Sequence, residues 1–395
     1  MLIHELKLNG LLSFGPDTPA LKMRPLNILI GPNGSGKSNL VEAIGLLRSA
    51  AKELTDPIRG TGGGGVSEWI WKGSSHRHAH LEAIIDNPSG QQPLRHVIEF
   101  TEVATRFELV DERIENTEPY PGNAEPYFYY KFQRGRPVLN IRDKAEHSDK
   151  PPRYLKREDV APDQSIIYQR KDPDQYPELA YLADTYSQFR LYREWTFGRS
   201  SVFRQPQSAG LPNDRLAEDF SNLGMFLNRL QGIPKAKNAI IEHLRDLYQG
   251  LDDFGVKIQQ NTVEVWLSEG SFIISANRLS DGTLRYLCLL AILFDPNPPP
   301  LICIEEPELG LHPDMLPGLA DLLVDASERT QLIVSTHSDI LVDAMSEQPE
   351  SVVVFEKHDG QTQMKRLETN ELQEWLKKYR LGHLWMSGEI GGKRW

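Results

Sequence analysis

At 395 residues the chain is long for one simple domain, and its 25% charged and 39% hydrophobic composition fits a globular protein with a core large enough for two lobes. A net charge of −11 excludes a uniformly basic nucleic-acid sleeve and leaves room only for local basic patches. The two cysteines, Cys288 and Cys303, lie in apolar runs and read as buried thiols in a reducing compartment. No apolar run approaches the roughly 18 residues that span a bilayer. The start MLIHEL alternates like a strand and lacks a basic-then-apolar leader, so a cytoplasmic protein without membrane contact is expected.

Leu26–Ile30 (LNILI) reads as a buried strand, and Asn39–Leu54 carries Leu40, Ile44, Leu47, Ala51 and Leu54 at helical spacing. Between them lies Gly31-Pro32-Asn33-Gly34-Ser35-Gly36-Lys37-Ser38, which fits the phosphate-loop pattern G-x-x-x-x-G-K-[ST] in its required strand-to-helix setting. The glycines let backbone N–H groups curl around a phosphate. Lys37 can neutralise the β- and γ-phosphates, the Ser38 hydroxyl can take a place on Mg²⁺, and the helix N-terminus adds partial positive charge.

Further on, GTGGGG at 60–65 is a flexible breaker. LEAIID, HVIEF, RFELV, YFYYKF and PVLNI, separated by Pro, Gly and Asn, predict an antiparallel sheet between His80 and Leu139. His76, His78 and His80 alternate, but no Cys or acidic ligand set accompanies them, which favours a solvated or phosphate-contacting edge over a metal site. Residues 143–163 are polar and proline-rich, consistent with an irregular loop, and Asp172-Pro173-Asp174 reads as a turn. Residues 174–250 look mostly helical, with interruptions near Pro206–Pro212 and Pro234. Within them, Arg190, Arg193, Arg199 and Arg204 interleave with Tyr192, Trp195, Phe197 and Phe203. That mixture suits nucleic acid or a partner protein, or else an amphipathic helix with surface arginines.

Motifs become dense again after residue 278. Ser280-Asp281-Gly282 opens an apolar helix, Tyr286–Phe294, with Ser280 as N-cap and Gly282 exposing backbone N–H groups to a second anion. Leu301-Ile302-Cys303-Ile304 is a buried strand ending in Glu305 and Glu306. Acids at that end face the crevice where α/β sheets bind ligands; one can hold Mg²⁺ and the next can deprotonate water. Glu305 stands where the usual Walker B pattern has Asp, one methylene shorter. Leu332–Ser335 is another strand, and it leads to Thr336 and His337, whose imidazole can contact a γ-phosphate or its attacking water, or else serve as a cap or core residue.

The order of these motifs resembles the ABC-class ATPases, and within them the RecF/SMC-like branch of AAA-type ATPases related to the ATPase part of overcoming-lysogenisation-defect proteins. The residues that carry it are GPNGSGKSNLVEAI, LSDGTLRYL, LICIEEPELGLHP and LIVSTHSDIL, with the opening LNGLLSF at 8–14 and the ending LWMSGEIGG at 384–392, about a third of the chain in all. The resemblance implies an α/β P-loop fold of ABC ATPase type with a mixed sheet: residues 1–58 and 252–395 as core, parts of 59–142 as its antiparallel sheet, and 143–251 as an inserted, mainly helical lobe. It implies a homodimer closing head to tail on ATP and Mg²⁺, each ATP lying between Asn33, Gly34, Ser35, Gly36, Lys37, Ser38 and Asn39 of one copy and Ser280, Asp281 and Gly282 of the other. Glu306 would be the catalytic carboxylate, Glu305 and Ser38 the metal-side groups, His337 the switch histidine, and Glu308 to Pro313 an interface loop. A Q-loop glutamine is implied; Gln169 is the candidate and Gln133 its rival. Phe14 would touch the adenine, or belong to the core. DNA, or a separate nuclease or effector chain, would be the partner. A membrane-transporter ATPase is the alternative, disfavoured by the roughly 240 residues between Lys37 and Ser280. A fused nuclease of the overcoming-lysogenisation-defect type would need more than the 58 residues after His337.

Overall fold

A computed structural model describes residues 1–392 other than 61, 74–76, 134, 135, 141–152, 155–159 and 197. His76, Phe197 and most of the 143–163 loop therefore lie outside the described residues. The chain divides into two compact units. One is Met1–Phe189 with Val353–Arg366 and the residues from Gly391 on; the other is Arg190–Val352 with Leu367–Ile390.

In the first unit an eight-stranded antiparallel sheet runs in the order Leu21–Lys22, Ile3–Asn9, His78–Ile85, Leu94–Val103, Arg106–Asn116, Phe128–Gln133, Arg136–Leu139, Arg153–Tyr154. The five apolar runs read from the sequence supply its centre. Period-two alternation puts Ala79, Leu81, Ala83 and Ile85 on the buried face. A polar cluster is buried beneath them. Glu112 accepts from the Ser165 hydroxyl and from the Ile166 N–H at 2.9 Å, and lies 3.3 Å from His96 Nε2, while His96 Nδ1 meets the Tyr186 hydroxyl at 3.0 Å. These contacts anchor the short helix Ile166–Gln169 and the helix Pro177–Ser187 to the sheet, and they supply the hydrogen bonds without which a buried carboxylate is costly. Nothing in the sequence pattern announced them. Asp172 does form the expected turn, its Oδ1 accepting the N–H groups of Asp174 and Gln175.

The second unit is built on three parallel strands, Arg190–Tyr192, Leu301–Glu305 and Gln331–Ser335, in register from Arg190↔Ile302 and Leu301↔Gln331. Helices Asp281–Leu293, Leu316–Ser327 and Asp339–Ala344 connect and follow them. A small antiparallel sheet contains Asp253–Gln259, Thr262–Glu269 and Phe272–Ser275. Pro234 opens the helix Pro234–Leu247, so the interruption expected there is a helix start. The lobe expected at 143–251 does not stand as a unit. The division falls at Phe189 because Arg190–Tyr192 pairs with the carboxylate strand and carries the residues after it into the second unit. Both cysteines are buried, as expected, and no helix among the described residues is long and apolar enough to cross a membrane.

Candidate functional site

The phosphate loop connects the fully buried strand Leu26–Ile30 to the helix Lys37–Ala50. Gly31, Gly34 and Gly36 take φ of 143°, 74° and 106°, a region that side chains resist. At Gly36 a Cβ would stand 2.2 Å from Thr362 Oγ1, so space as well as conformation demands glycine. Lys37 is 6% exposed and donates to the carbonyls of Gly31 and Pro32 at 2.7 and 3.0 Å, which holds its ammonium against the loop. Asn33, Gly34 and Ser38 are exposed, Ser35 is buried, and Asn39 is half-buried. Thr362, on the hairpin of Val352–His358 and Gln361–Arg366, donates to the Ser35 carbonyl at 2.7 Å and shares a 2.6 Å hydrogen bond with the Ser13 hydroxyl, which accepts from Asn39 at 2.6 Å. This network ties the loop to LNGLLSF and to the hairpin. Beside it opens a cavity of about 500 Å³ whose walls include Ser13, Asn39, Trp71, Lys357 and Asp359.

Two expectations in this unit are corrected. Phe14 is fully buried and offers no ring surface to a base; its ring belongs to the core. Gln169 spends its amide on its own loop: Oε1 accepts from Ala161 N–H at 2.9 Å and Nε2 donates to the Gln164 carbonyl at 2.9 Å, which leaves it unsuited to a metal or a nucleotide. The rival Gln133 ends the strand Phe128–Gln133, its backbone paired with Arg136. Of the alternating histidines, His78 Nδ1 meets Glu99 Oε1 at 2.9 Å and His80 lies between Glu82 and Glu99. Hydrogen bonding to His80 leads the effects that pull the Glu99 carboxyl down to about 2. Among the described residues no group of three or more His, Cys, Asp or Glu could hold a metal ion.

The second unit assembles the acids and the histidine. Glu305 pairs with Ser335 across the parallel strands, and Glu306 N–H donates to the Ser335 carbonyl at 2.9 Å. Glu306 Oε1 stands 3.7 Å from His337 Nε2, ion-pair range but longer than a direct hydrogen bond. Glu306 also holds φ at 48°, a left-handed backbone rare outside glycine. Ser338, not His337, caps the following helix, its Oγ accepting the Leu341 N–H at 3.2 Å. Glu305 Oε2 receives Arg193 Nε at 3.3 Å, while its buried Oε1 has no hydrogen-bond partner among the described residues.

Glu308 is a residue the sequence reading placed only in an interface loop. Its Oε1 accepts from the Thr336 hydroxyl at 2.8 Å and the His337 N–H at 2.7 Å, and burial pushes its carboxyl above the usual range. It thereby fixes the backbone from which the imidazole projects. Glu308→Ala removes both of these hydrogen bonds and is expected to loosen the Thr336–His337 backbone, seen as faster amide hydrogen exchange at His337 with the rest of the unit unchanged.

Ser280 caps the helix Asp281–Leu293 as expected, accepting from Thr283 N–H at 3.0 Å. Gly282 packs so closely on the loop after the carboxylates that a Cβ there would stand 2.7 Å from the Gly310 carbonyl oxygen. Arg285, 3% exposed, donates to the Glu306 carbonyl at 2.7 Å and lies over the Trp195 ring at 4.4 Å; burial lowers its guanidinium to about 10. Trp195 Nε1 donates to the Glu305 carbonyl at 2.9 Å. The basic-aromatic stretch is therefore corrected. Tyr192 and Phe203 are buried, Tyr192 and Trp195 stack on Phe220 and Phe203 meets it edge-on, and Arg193 and Arg204 pair with acids of this unit, while Arg199 is exposed.

Comparison with known proteins identifies the family and the fold. The profile of the family described as "AAA domain, putative AbiEii toxin, Type IV TA system" matches residues 26–343. Among curated proteins, the chromosome partition protein Smc of Mycobacterium tuberculosis is 35% identical over 111 residues, 26% of this chain, and that of Rhodopirellula baltica is 35% identical over 99 residues, 24% of this chain. The match spans only 8% of either relative's length. Among solved structures, an Smc head bound to the C-winged helix domain of ScpA superposes with a TM-score of 0.56 at 15% identity, covering 95% of this chain and 100% of that one. An Smc head with an extended coiled coil bound to the C-terminal domain of ScpA, derived from Pyrococcus furiosus, gives 0.55 at 14% identity, covering 96% and 99%. Their fold is the P-loop ATPase fold expected from the motifs, and the family match covers most of the chain. The chain belongs to this AAA family, and its fold is that of the Smc heads.

Proposed function

We propose that the chain binds ATP with Mg²⁺ and hydrolyses it, that two copies close head to tail around the nucleotide, and that closure acts on DNA or controls a partner effector, as in DNA repair or antiphage defence. The observation that carries hydrolysis is the Glu306–His337 pair, 3.7 Å apart after neighbouring parallel strands, in a chain that also holds a phosphate loop. Glu306 takes the proton of the attacking water and His337 steadies that water or the γ-phosphate. Lys37 and the N-terminus of its helix balance the phosphate charge. The base and ribose occupy the cavity beside Asn39 and Ser13. Each unit by itself offers an oxygen suited to Mg²⁺: the exposed Ser38 hydroxyl in the first, and in the second the buried Glu305 Oε1, which has no hydrogen-bond partner among the described residues. When bound, Mg²⁺ would neutralise charge on the phosphates. The Smc heads bound to ScpA domains support a partner protein for this chain too, a nuclease or effector encoded separately.

The head-to-tail arrangement has a direct test. Ser280→Arg is expected to keep ATP binding by the single subunit and to lose hydrolysis, because a bulky cation at the exposed turn blocks docking on the other copy's ATP. Mixing it with Lys37→Ala should restore part of the activity, since each mixed dimer owns one site with an intact loop and an intact turn. Full hydrolysis by a monomeric Ser280→Arg protein would remove the sandwich from the mechanism.

A further inference from the structure

A turn meant to receive a triphosphate carries a carboxylate, Asp281, directly beside its anion-binding residues, which by itself repels the ligand. Arg204 answers that problem. Its side chain is 9% exposed and gathers the carbonyls of Leu279 at 2.7 Å and of Ala276 and Asn277 at 3.4 Å each, together with the Asp281 carboxylate. Gly198 N–H adds a bond to the same Asp281 oxygen at 3.3 Å, and the ion pair holds the Asp281 carboxyl below its usual range. Phe203, the preceding residue, is buried against Phe220 and fixes the point from which Arg204 reaches. Two nitrogens of the planar guanidinium serve these four acceptors, Nη1 the carbonyls and Nη2 the carboxylate, a forked arrangement that a lysine ammonium does not reproduce.

We propose that Arg204 is the positioning residue of the Ser280-Asp281-Gly282 turn: it locks the turn's backbone and cancels the Asp281 charge so that the turn can dock on ATP held by a second copy. The proposal rests on the head-to-tail reading above. Arg204→Ala is then expected to leave ATP binding by its own subunit unchanged and to lower turnover about 30-fold, the scale of lost charge-assisted bonds. Arg204→Lys should recover part of that. Asp281→Asn placed in the Arg204→Ala background should also raise turnover, because it removes the uncompensated charge; a merely structural arginine would gain nothing from this second change.

The experiment is subunit mixing, read as ATP turnover, with Ser280→Arg plus Lys37→Ala as the control pair. Recovery in the control and in Arg204→Ala plus Lys37→Ala supports the proposal. Recovery in the control alone overturns it and leaves the head-to-tail reading standing. Failure of the control pair, with mixed dimers shown to form, overturns both. If Arg204→Ala does not bind ATP because it does not fold, Arg204→Lys in the same mixtures decides the matter by the same outcomes.

Discussion

Glu306→Gln is expected to slow ATP hydrolysis by about two to four orders of magnitude, the size of a lost general base. The amide keeps the shape of the side chain, and the Glu306 backbone bonds to Ser335 and Arg285 do not involve the carboxylate. ATP binding should therefore persist, and the protein should accumulate as an ATP-bound dimer with Mg²⁺, visible as a nucleotide-dependent doubling of mass in light scattering. Glu305→Gln is the informative control. Glu305 is already committed on one oxygen to Arg193, and loss of the other should weaken Mg²⁺ binding, so that half-maximal turnover needs more Mg²⁺. Turnover that survives Glu306→Gln and vanishes in Glu305→Gln would exchange the two roles.

Lys37→Ala is expected to lower ATP affinity by about 100-fold or more, from the loss of charge-assisted contacts to two phosphates. The helix Lys37–Ala50 should survive, because alanine is the better helix former and the interior of the helix is held by Leu40, Ile44 and Leu47. Equilibrium binding of a fluorescent ATP analogue, read beside circular dichroism, separates the two effects. Unchanged affinity in a folded Lys37→Ala protein would take ATP binding away from the phosphate loop and the proposed function with it.

The readable parts of the site are those written in short stretches of chain. The phosphate loop needs its own glycines and lysine, Ser280 caps the helix that it precedes, and LICIE and QLIVS form strands because every residue but Glu305 is buried. Contacts between distant residues were not readable. Thr362 and Ser35 are 327 positions apart, and Arg204 and Asp281 are 77 apart; neither pair leaves a local pattern. Composition misled where direction decides. Alternating arginines and aromatics describe a nucleic-acid surface and a core-facing strap equally well, and only the packing of Tyr192, Trp195 and Phe203 around Phe220 shows which it is. Phe14 and Gln169 failed for the same reason: a residue type fits a role, but burial and local hydrogen bonds decide whether it is available.

The left-handed backbone at Glu306 bears on how this protein should be engineered. A side chain held at that φ costs the fold about 1 kcal/mol, and glycine is the substitution that relieves it. A library selected for thermal tolerance alone would enrich Glu306→Gly and deliver sturdier proteins without turnover. Variant screens on this scaffold therefore need an activity gate at every round, and a glycine emerging at position 306 under heat selection would be a sign of relieved strain rather than of a dispensable residue.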